Sequence, residues 1–193
     1  MTGMKIFKIL IYFILPTLIL LCAVTLLILN RQKNSVAFYD PAPRFKLTEQ
    51  SGKELNSEDL KGRPWLAGFI FTRCQGQCPI ISEEMSQIAK EFKKLRMMSF
   101  SVDPDYDSPR VLSKYAERFD ADPAQWSFVT GPRDVLNHVT TGFHMNTIDD
   151  PMFHSASVVL VDGQGRVRGY YDANDAEKVE KLKRDIKIIS ERT

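Results

Sequence analysis

The chain has 193 residues, of which 44% are hydrophobic and 26% charged, and its formal net charge at pH 7 is +2. Lys5 and Lys8 are the only charged residues before residue 30, so the rest of the chain is close to neutral. No basic block stands out, which argues against nucleic acid as a partner.

An uncharged segment near the start, from Ile9 to Leu29, reads ILIYFILPTLILLCAVTLLIL. As a helix it would be about 30 Å long, enough to cross a bilayer, and Pro16 would not prevent spanning. A cleaved signal peptide is the alternative, but its apolar core should be shorter and end at small residues. We therefore expect a short cytoplasmic tail at 1–8 and a retained transmembrane anchor at 9–29. Cys22 is interpreted as a lipid-facing residue, because leucines precede it where a lipoprotein cysteine needs small residues.

Charge leaves the orientation of this anchor open. Lys5 and Lys8 precede the segment, whereas Arg31 and Lys33 follow it, so the comparison of flanking positive charges is nearly a tie. The short tail would remain in the cytoplasm more easily than the large domain, which weakly favours export of the domain.

A linker at 30–43 and one domain at 44–193 are expected next, since about 160 residues suit a single domain. The segment FKLTEQSGKEL alternates apolar and polar residues around Ser51–Gly52, which predicts a hairpin. After the loop or helical turn SEDLKGRP, the apolar run from Trp65 to Thr72 predicts a strand buried on both faces.

Helices and strands then alternate. Apolar residues three and four apart predict a helix over about 79–95, with Pro79 in its first turn. Asp107 or Ser108 is the expected N-cap of the next helix, which would end at Phe119. The other predicted elements are strands at 97–103, 126–131, 155–162 and 166–172, helices at 132–141 and 176–189, and a tight turn at 163–165. This order indicates an α/β fold with a central mixed sheet flanked by helices, and the thioredoxin arrangement is of this type.

Two of the three cysteines stand in the sequence FTRCQGQCP, between the first central strand and the following helix. A helix N-terminus favours thiolate over thiol, and Arg73 could add to this effect. The three residues between Cys74 and Cys78 allow a disulfide but also allow the pair to open around a metal ion. A purely structural disulfide is a weaker explanation, because so short a loop constrains the unfolded chain little. Two buried, unreactive cysteines are another alternative, which the polar surroundings disfavour.

A third ligand would strengthen the case for a metal, and three histidines are candidates. His154 directly precedes a predicted strand, at a loop rim where functional residues collect. His138 lies in a predicted helix and is interpreted as structural or exposed, and His144 lies in the preceding loop. The thioethers of Met145 and Met152 are nearby, although packing in the loop explains them more simply. Two thiolates and one imidazole suit Cu(I) and tolerate Cu(II) with an added ligand, whereas structural zinc prefers four ligands.

Several segments, in order, resemble the Sco/SenC family of thioredoxin-fold copper chaperones for cytochrome c oxidase assembly. The segment FTRCQGQCP resembles the copper loop of that family, and SVDPDYDSP resembles its segment after the second central strand. The segment WSFVTG is similar in character to the family segment at the same place in the order. The segment HSASVVLVDGQGRVRGYYD resembles the stretch that carries the ligand histidine. The resemblance spans about 42–189, and an N-terminal anchor is also usual in the family.

The resemblance implies that Cys74, Cys78 and His154 bind copper, as Cu(I) or Cu(II). It also implies that Asp103 could support the site from outside the ligand set, although Asp103 could equally serve only to cap its loop. It also implies a single-pass protein of the inner membrane whose domain faces the periplasm or cell exterior. The copper-accepting subunit of cytochrome c oxidase would be the partner. Other periplasmic copper chaperones and thioredoxin-like reductants are further partners that we expect.

One departure separates the chain from the family pattern. The copper loop of the family commonly reads CPDxC, whereas Gln75 and Gly76 follow Cys74 here, so a carboxylate near the site is lost. This puts the interaction with a partner, or the tuning of copper, in doubt. The alternative function is a thiol–disulfide oxidoreductase or peroxidase-like protein in which Cys74 attacks and Cys78 resolves. A copper or redox sensor is a third alternative.

Overall fold

The computed structural model describes residues 14–33, 36–145 and 156–191. The chain divides into two units, residues 1–35 and residues 36–193. In the first unit the structure describes the helix α1 (Leu15–Lys33). Among the described residues, no helix meets the combined length and hydropathy of a membrane span. The anchor predicted at 9–29 lies partly outside those residues.

The described strands of the second unit form one mixed sheet. They are β1 (Lys46–Glu49), β2 (Glu54–Asn56), β3 (Trp65–Ile70), β4 (Arg96–Ser101), β5 (Trp126–Thr130), β6 (Ser157–Val161) and β7 (Val167–Asp172). Their order across the sheet is β2-β1-β5-β4-β3-β6-β7. Strands β3, β4 and β5 are parallel, while β6 runs antiparallel to β3. The end where β3, β4 and β5 stop and β6 starts is called the site end of the sheet.

Among the described residues of this unit, four α-helices connect or follow the strands. They are α2 (Gln77–Glu91), α3 (Pro109–Glu117), α4 (Arg133–Gly142) and α5 (Ala176–Ser190), and a 3-10 helix (Ser57–Leu60) follows β2. Capping side chains fix where two of them begin. The hydroxyl of Ser108 accepts a hydrogen bond from the Val111 N–H, and the Asp175 carboxylate accepts from the N–H groups of Glu177 and Lys178. Such caps satisfy N–H groups that have no partner inside the helix.

Each face of the sheet carries its own hydrophobic core, because alternate residues of a strand point to opposite faces. Leu66 and Ile70 of β3 belong to the cluster that also contains buried residues of α2, α3 and α5. Trp65 and Ala67 of the same strand belong to the cluster that contains buried residues of α4. Gly68 lies where α2 crosses β3 closely, since a Cβ there would come 2.6 Å from Met85 Sδ.

The chain before β1 is held against β7. The carboxylate of Asp162 accepts hydrogen bonds from Arg166 Nε (2.9 Å) and Arg168 Nη1 (2.8 Å). Arg168 also donates to the carbonyl oxygens of Val36 (2.6 Å) and Ala37 (2.7 Å). Burial opposes ionisation of Asp162, but the hydrogen bonds from the two arginines outweigh it and lower the pKa of the carboxyl. Part of the segment predicted as a linker is therefore attached to the domain.

Most predicted elements are confirmed to within two or three residues. The hairpin forms, with Gly52 at φ +80° in its turn, and the strand predicted from Trp65 lies between β4 and β6. Two details differ. Helix α2 begins at Gln77, before Pro79, and ends at Glu91, so Leu95 is a buried residue of the following loop. Ser108, and not Asp107, is the side chain that caps α3.

Candidate metal centre

The two cysteines of the FTRCQGQCP segment lie at the site end of the sheet. Cys74 follows β3 in a turn in which its N–H donates to the carbonyl oxygen of Phe71 at 3.1 Å. Cys78 is the second residue of α2 and is 5% exposed, whereas Cys74 is half-buried. Both are free thiols, and they lie close enough for each to shift the pKa of the other. The early start of α2 is what brings Cys78 into its first turn, facing Cys74.

The N-terminus of α2 favours the thiolate of Cys74. Burial opposes ionisation of this thiol and is the largest single influence on it. Backbone N–H groups of Cys78, Gly76 and Gln77, together with the Cys78 thiol, outweigh that effect and lower the pKa of Cys74. These N–H groups have no acceptor within the helix, so a negative sulfur satisfies them. Cys74 is thus prepared to act as a nucleophile or as a metal ligand.

Cys78 behaves in the opposite way. Burial raises the pKa of its thiol to about 12, although a backbone hydrogen bond from Phe71 opposes the rise. The neighbouring Cys74 adds to the increase, because two adjacent thiolates repel each other. The pair therefore holds one negative charge readily and a second only if a positive charge neutralises it. A metal cation supplies such a charge, whereas oxidation to a disulfide leaves neither sulfur charged.

A buried carboxylate lies beneath the cysteine loop. Asp107 is 0% exposed. It accepts hydrogen bonds from Thr72 Oγ1 (2.5 Å), from the Thr72 N–H (3.2 Å) and from Ser101 Oγ (2.6 Å). Thr72 follows β3 and Ser101 ends β4, so one side chain joins the ends of two central strands. From the sequence alone, Asp107 is only a candidate N-cap. The signal that could have identified its role is the row of three acidic residues, Asp103, Asp105 and Asp107, behind a buried strand.

Asp103 and Arg73 form a second layer at the surface. Arg73 Nη2 donates to Asp103 Oδ2 at 2.5 Å, and its guanidinium group lies 4.4 Å from the centre of the Tyr106 ring. The Asp103 N–H in turn donates to Ser101 Oγ at 3.1 Å. Hydrogen bonding to Asp103 raises the pKa of Arg73. Asp103 therefore holds the residue directly before Cys74.

The other candidate ligands do not gather at the cysteines in the part of the chain that the structure describes. His138 is exposed on α4. His144 has φ +54°, and its Nε2 lies 3.0 Å from Asp40 Oδ2. The carbonyl oxygen of Asp40 accepts a hydrogen bond from the N–H at the start of β7. The pair of His144 and Asp40 is therefore at the end of the sheet opposite the site end. Met145 is 4% exposed and packs in the α4-side core, as the packing interpretation predicts. The described residues contain no group of three metal-binding side chains.

His154 and Met152 lie outside the described residues. The described chain resumes at Ala156, which is fully buried. Ala156 and Cys78 belong to the same hydrophobic cluster, and Cys74 packs against this cluster. In the antiparallel register of β3 and β6, Gly68 is opposite Val158, so Ala156 reaches the level of the end of β3. The Ala156 carbonyl accepts a hydrogen bond from the Ala173 N–H at 2.7 Å. Strand β6 therefore starts beside the cysteine loop.

A mixed sheet with helices on both faces, and a cysteine pair between the first central strand and its helix, define a thioredoxin-like α/β protein. Comparison with known families is more specific. The profile of the SCO1/SenC family matches residues 35–190. The chain belongs to this family.

Individual relatives agree with this assignment. The chain is 32% identical to the SCO1 protein homolog of Bacillus subtilis over 162 residues, covering 79% of this chain and 83% of the relative. Among solved structures it is similar to BsSco, described as a member of the Sco family of cytochrome c oxidase assembly proteins and as having a disulfide switch. The TM-score is 0.70 at 30% identity, covering 81% of this chain and 96% of that chain. Copper-bound ScoI of Bradyrhizobium japonicum has a TM-score of 0.58 at 29% identity, covering 76% of this chain and 99% of the other.

Proposed function

We propose that this protein binds one copper ion through Cys74, Cys78 and His154 and delivers it during assembly of the dinuclear copper centre of cytochrome c oxidase. The observation that carries the proposal is the cysteine pair at the N-terminus of α2, where one thiol has a lowered pKa and its partner needs a cation to ionise. The similarity to copper-bound ScoI supports copper as the ion.

The two cysteines have different tasks in this reaction. Cys74 is the more exposed and more acidic thiol, so it would make the first bond to incoming copper. The metal charge would then allow Cys78 to release its proton, which couples capture to proton release. Delivery reverses these steps, as thiolates of the acceptor replace those of this chain one at a time. Copper is cargo on this account, and no covalent catalysis is required.

The chain connectivity supports His154 as the third ligand. Only Ser155 stands between it and Ala156, and two residue steps of extended chain span roughly 7 Å. Ala156 belongs to the same hydrophobic cluster as Cys78, and Cys74 packs against that cluster. Imidazole nitrogen joined to two thiolates gives a soft, low-coordination donor set that suits copper.

The wider setting of the protein belongs to the same proposal. The uncharged segment 9–29 would anchor the chain in the inner membrane as a single pass, with the domain facing the periplasm or cell exterior. The copper-accepting oxidase subunit would be the partner, and other copper chaperones or thioredoxin-like reductants would load or reduce the site. Asp103 would act from outside the ligand set, by holding Arg73 next to Cys74.

A thiol–disulfide oxidoreductase is the second candidate, and the unequal acidity of the two thiols favours it. The Cys74 thiolate would attack a disulfide of the target and release one target sulfur as a thiolate. Cys78 would then lose its proton and attack Cys74, which releases the second target sulfur. Two electrons pass from the cysteine pair to the target, and the pair becomes a disulfide. The disulfide switch named for BsSco agrees with such a reaction.

Replacing His154 separates the two functions, because copper capture needs the imidazole and thiol exchange does not. We expect His154→Ala to abolish tight Cu(II) binding while leaving the rate of exchange with a model disulfide unchanged. His144→Ala is the matched control, since His144 is bound to Asp40 at the opposite end of the sheet. Full copper binding by His154→Ala, with loss of thiol exchange, would refute the proposal.

A further inference from the structure

The buried carboxylate of Asp107 has no part in the function described so far. A fully buried acidic side chain is costly unless donors satisfy it, and three donors converge on this one. Two of them belong to Thr72, which is two residues before Cys74. The third belongs to Ser101 at the end of β4. A carboxylate offers two acceptor oxygens, so it suits such a set of donors better than a side-chain amide.

These contacts form a closed ring. Asp107 accepts from Thr72 and from Ser101, Ser101 Oγ accepts from the Asp103 N–H, and Asp103 accepts from Arg73. Since Arg73 is bonded to Thr72, the ring begins and ends on two consecutive residues immediately before the first cysteine. The backbone adds two ties of its own. The Asp107 N–H donates to the Asp103 carbonyl (2.9 Å), and the Val102 N–H donates to the carbonyl of Ile70 (2.9 Å).

The two cysteines are held by different structures. Cys78 is part of α2, which packs on β3 through the close approach at Gly68. Cys74 belongs to the loop, so its position relative to Cys78 depends on how the chain leaves β3. That exit is fixed by Thr72, and the side chain that holds Thr72 is Asp107. Side chains that orient ligands from outside the ligand set commonly decide whether a metal site has the right geometry.

We infer that Asp107 is a positioning residue that sets the distance and direction of Cys74 relative to Cys78, for copper and for disulfide formation alike. The copper half of this inference rests on the proposed function. The disulfide half does not, because it depends on how the two sulfurs are held and on the charges around them, and not on copper.

The test uses the full chain in detergent with Cys22→Ser, so that the two site cysteines are the only thiols. Asp107→Asn keeps the shape of the side chain, and Thr72→Val removes the 2.5 Å hydroxyl contact without touching Asp107. Asp185→Asn is the control. Asp185 is another buried carboxylate and is 8% exposed. It accepts hydrogen bonds from Tyr171 on β7 and from Lys181 on α5, and not from the cysteine loop.

Three quantities are measured for each variant. The first is Cu(II) affinity by competition with a chelator, with the sulfur-to-copper charge-transfer band recorded in the same samples. The second is the equilibrium with glutathione, in which both cysteines lose a proton and an electron while one oxidised glutathione becomes two thiols. The third is the melting temperature, which reports on the fold alone.

Asp107→Asn and Thr72→Val should each weaken Cu(II) binding about tenfold, which corresponds to about 1.4 kcal/mol, and should change the charge-transfer band. Both should shift the glutathione equilibrium toward the dithiol by a similar factor. Asp185→Asn should lower the melting temperature and leave the other two quantities unchanged.

Unchanged affinity, spectrum and glutathione equilibrium in both loop variants would overturn the inference, even if their melting temperatures fell. Absence of copper binding by the unsubstituted protein would instead overturn the proposed function. In that case the glutathione equilibrium still decides the role of Asp107.

Discussion

The unequal environments of the two thiols predict that an alkylating reagent modifies Cys74 well before Cys78. Thiolate, not thiol, is the species that reacts with iodoacetamide. The N–H groups at the start of α2 lower the pKa of Cys74, while burial raises that of Cys78 to about 12. Limited alkylation of the reduced, metal-free protein at pH 8 therefore reports directly on the arrangement of the site.

The size of the effect follows from the ionised fractions. With a pKa of about 12, Cys78 is ionised in roughly one molecule in ten thousand at pH 8. An ordinary cysteine is ionised to roughly a quarter at that pH, and Cys74 exceeds this because its pKa is lowered. The more basic Cys78 thiolate is intrinsically more reactive, by about fortyfold, which offsets part of the difference. Cys74 should still react at least about fiftyfold faster.

Peptide mass spectrometry resolves the two positions. Trypsin cleaves after Arg73 and after Lys90, so both cysteines fall in one peptide, and fragmentation between them identifies the modified residue. Chain unfolded in urea is the control, and there the two cysteines should react at similar rates. Equal rates in the folded protein, or faster modification of Cys78, would refute the reasoning about the helix terminus and burial.

Three further substitutions test other parts of the account. Gly68→Ala should destabilise the protein by about 1–3 kcal/mol in urea unfolding, because its Cβ would overlap Met85 Sδ. Asp162→Asn should cost about 3 kcal/mol at pH 7 by leaving two arginines without their carboxylate. Because the pKa of Asp162 is lowered on folding, this difference should shrink as the pH falls through that pKa. Gly76→Asp places a carboxylate next to Cys74 and should raise the pKa of that thiol, measured from the pH dependence of its alkylation.

For each of these substitutions, one result would contradict the prediction. An unchanged urea midpoint for Gly68→Ala would show that Met85 moves aside without cost. A stability difference for Asp162→Asn that is as large at pH 2 as at pH 7 would assign its effect to packing and not to charge. An alkylation profile for Gly76→Asp identical to that of the unsubstituted chain would mean that the new carboxylate points away from Cys74.

Much of the fold could be predicted from local sequence patterns. The run from Trp65 is apolar at every position because β3 is covered on both faces, and that property is visible without any structure. The start of α2 was less visible. Pro79 lies in the first helical turn, as predicted, but the helix already starts at Gln77, and its N-cap Gly76 makes no side-chain hydrogen bond. No side-chain pattern marks such a start.

The site shows the same limit more clearly. Cys74 and Cys78 were evident from their spacing and from their position between a strand and a helix. Asp107 and Ser108 looked equivalent as N-caps, because both residue types are favoured there. Their tasks differ since Thr72 and Ser101, which are distant in sequence, place donors around Asp107. Local patterns cannot reveal a role that depends on two other strands.

The most direct test of the central claim is the copper stoichiometry and absorption spectrum of the chain carrying Cys22→Ser, reduced and loaded anaerobically with Cu(I) or Cu(II). Cys74→Ala, Cys78→Ala and His154→Ala are measured beside it. One copper per chain is expected, with a sulfur-to-copper charge-transfer band for Cu(II) that each substitution removes. No retained copper, together with a readily reducible disulfide between Cys74 and Cys78, would contradict the copper assignment and support the oxidoreductase.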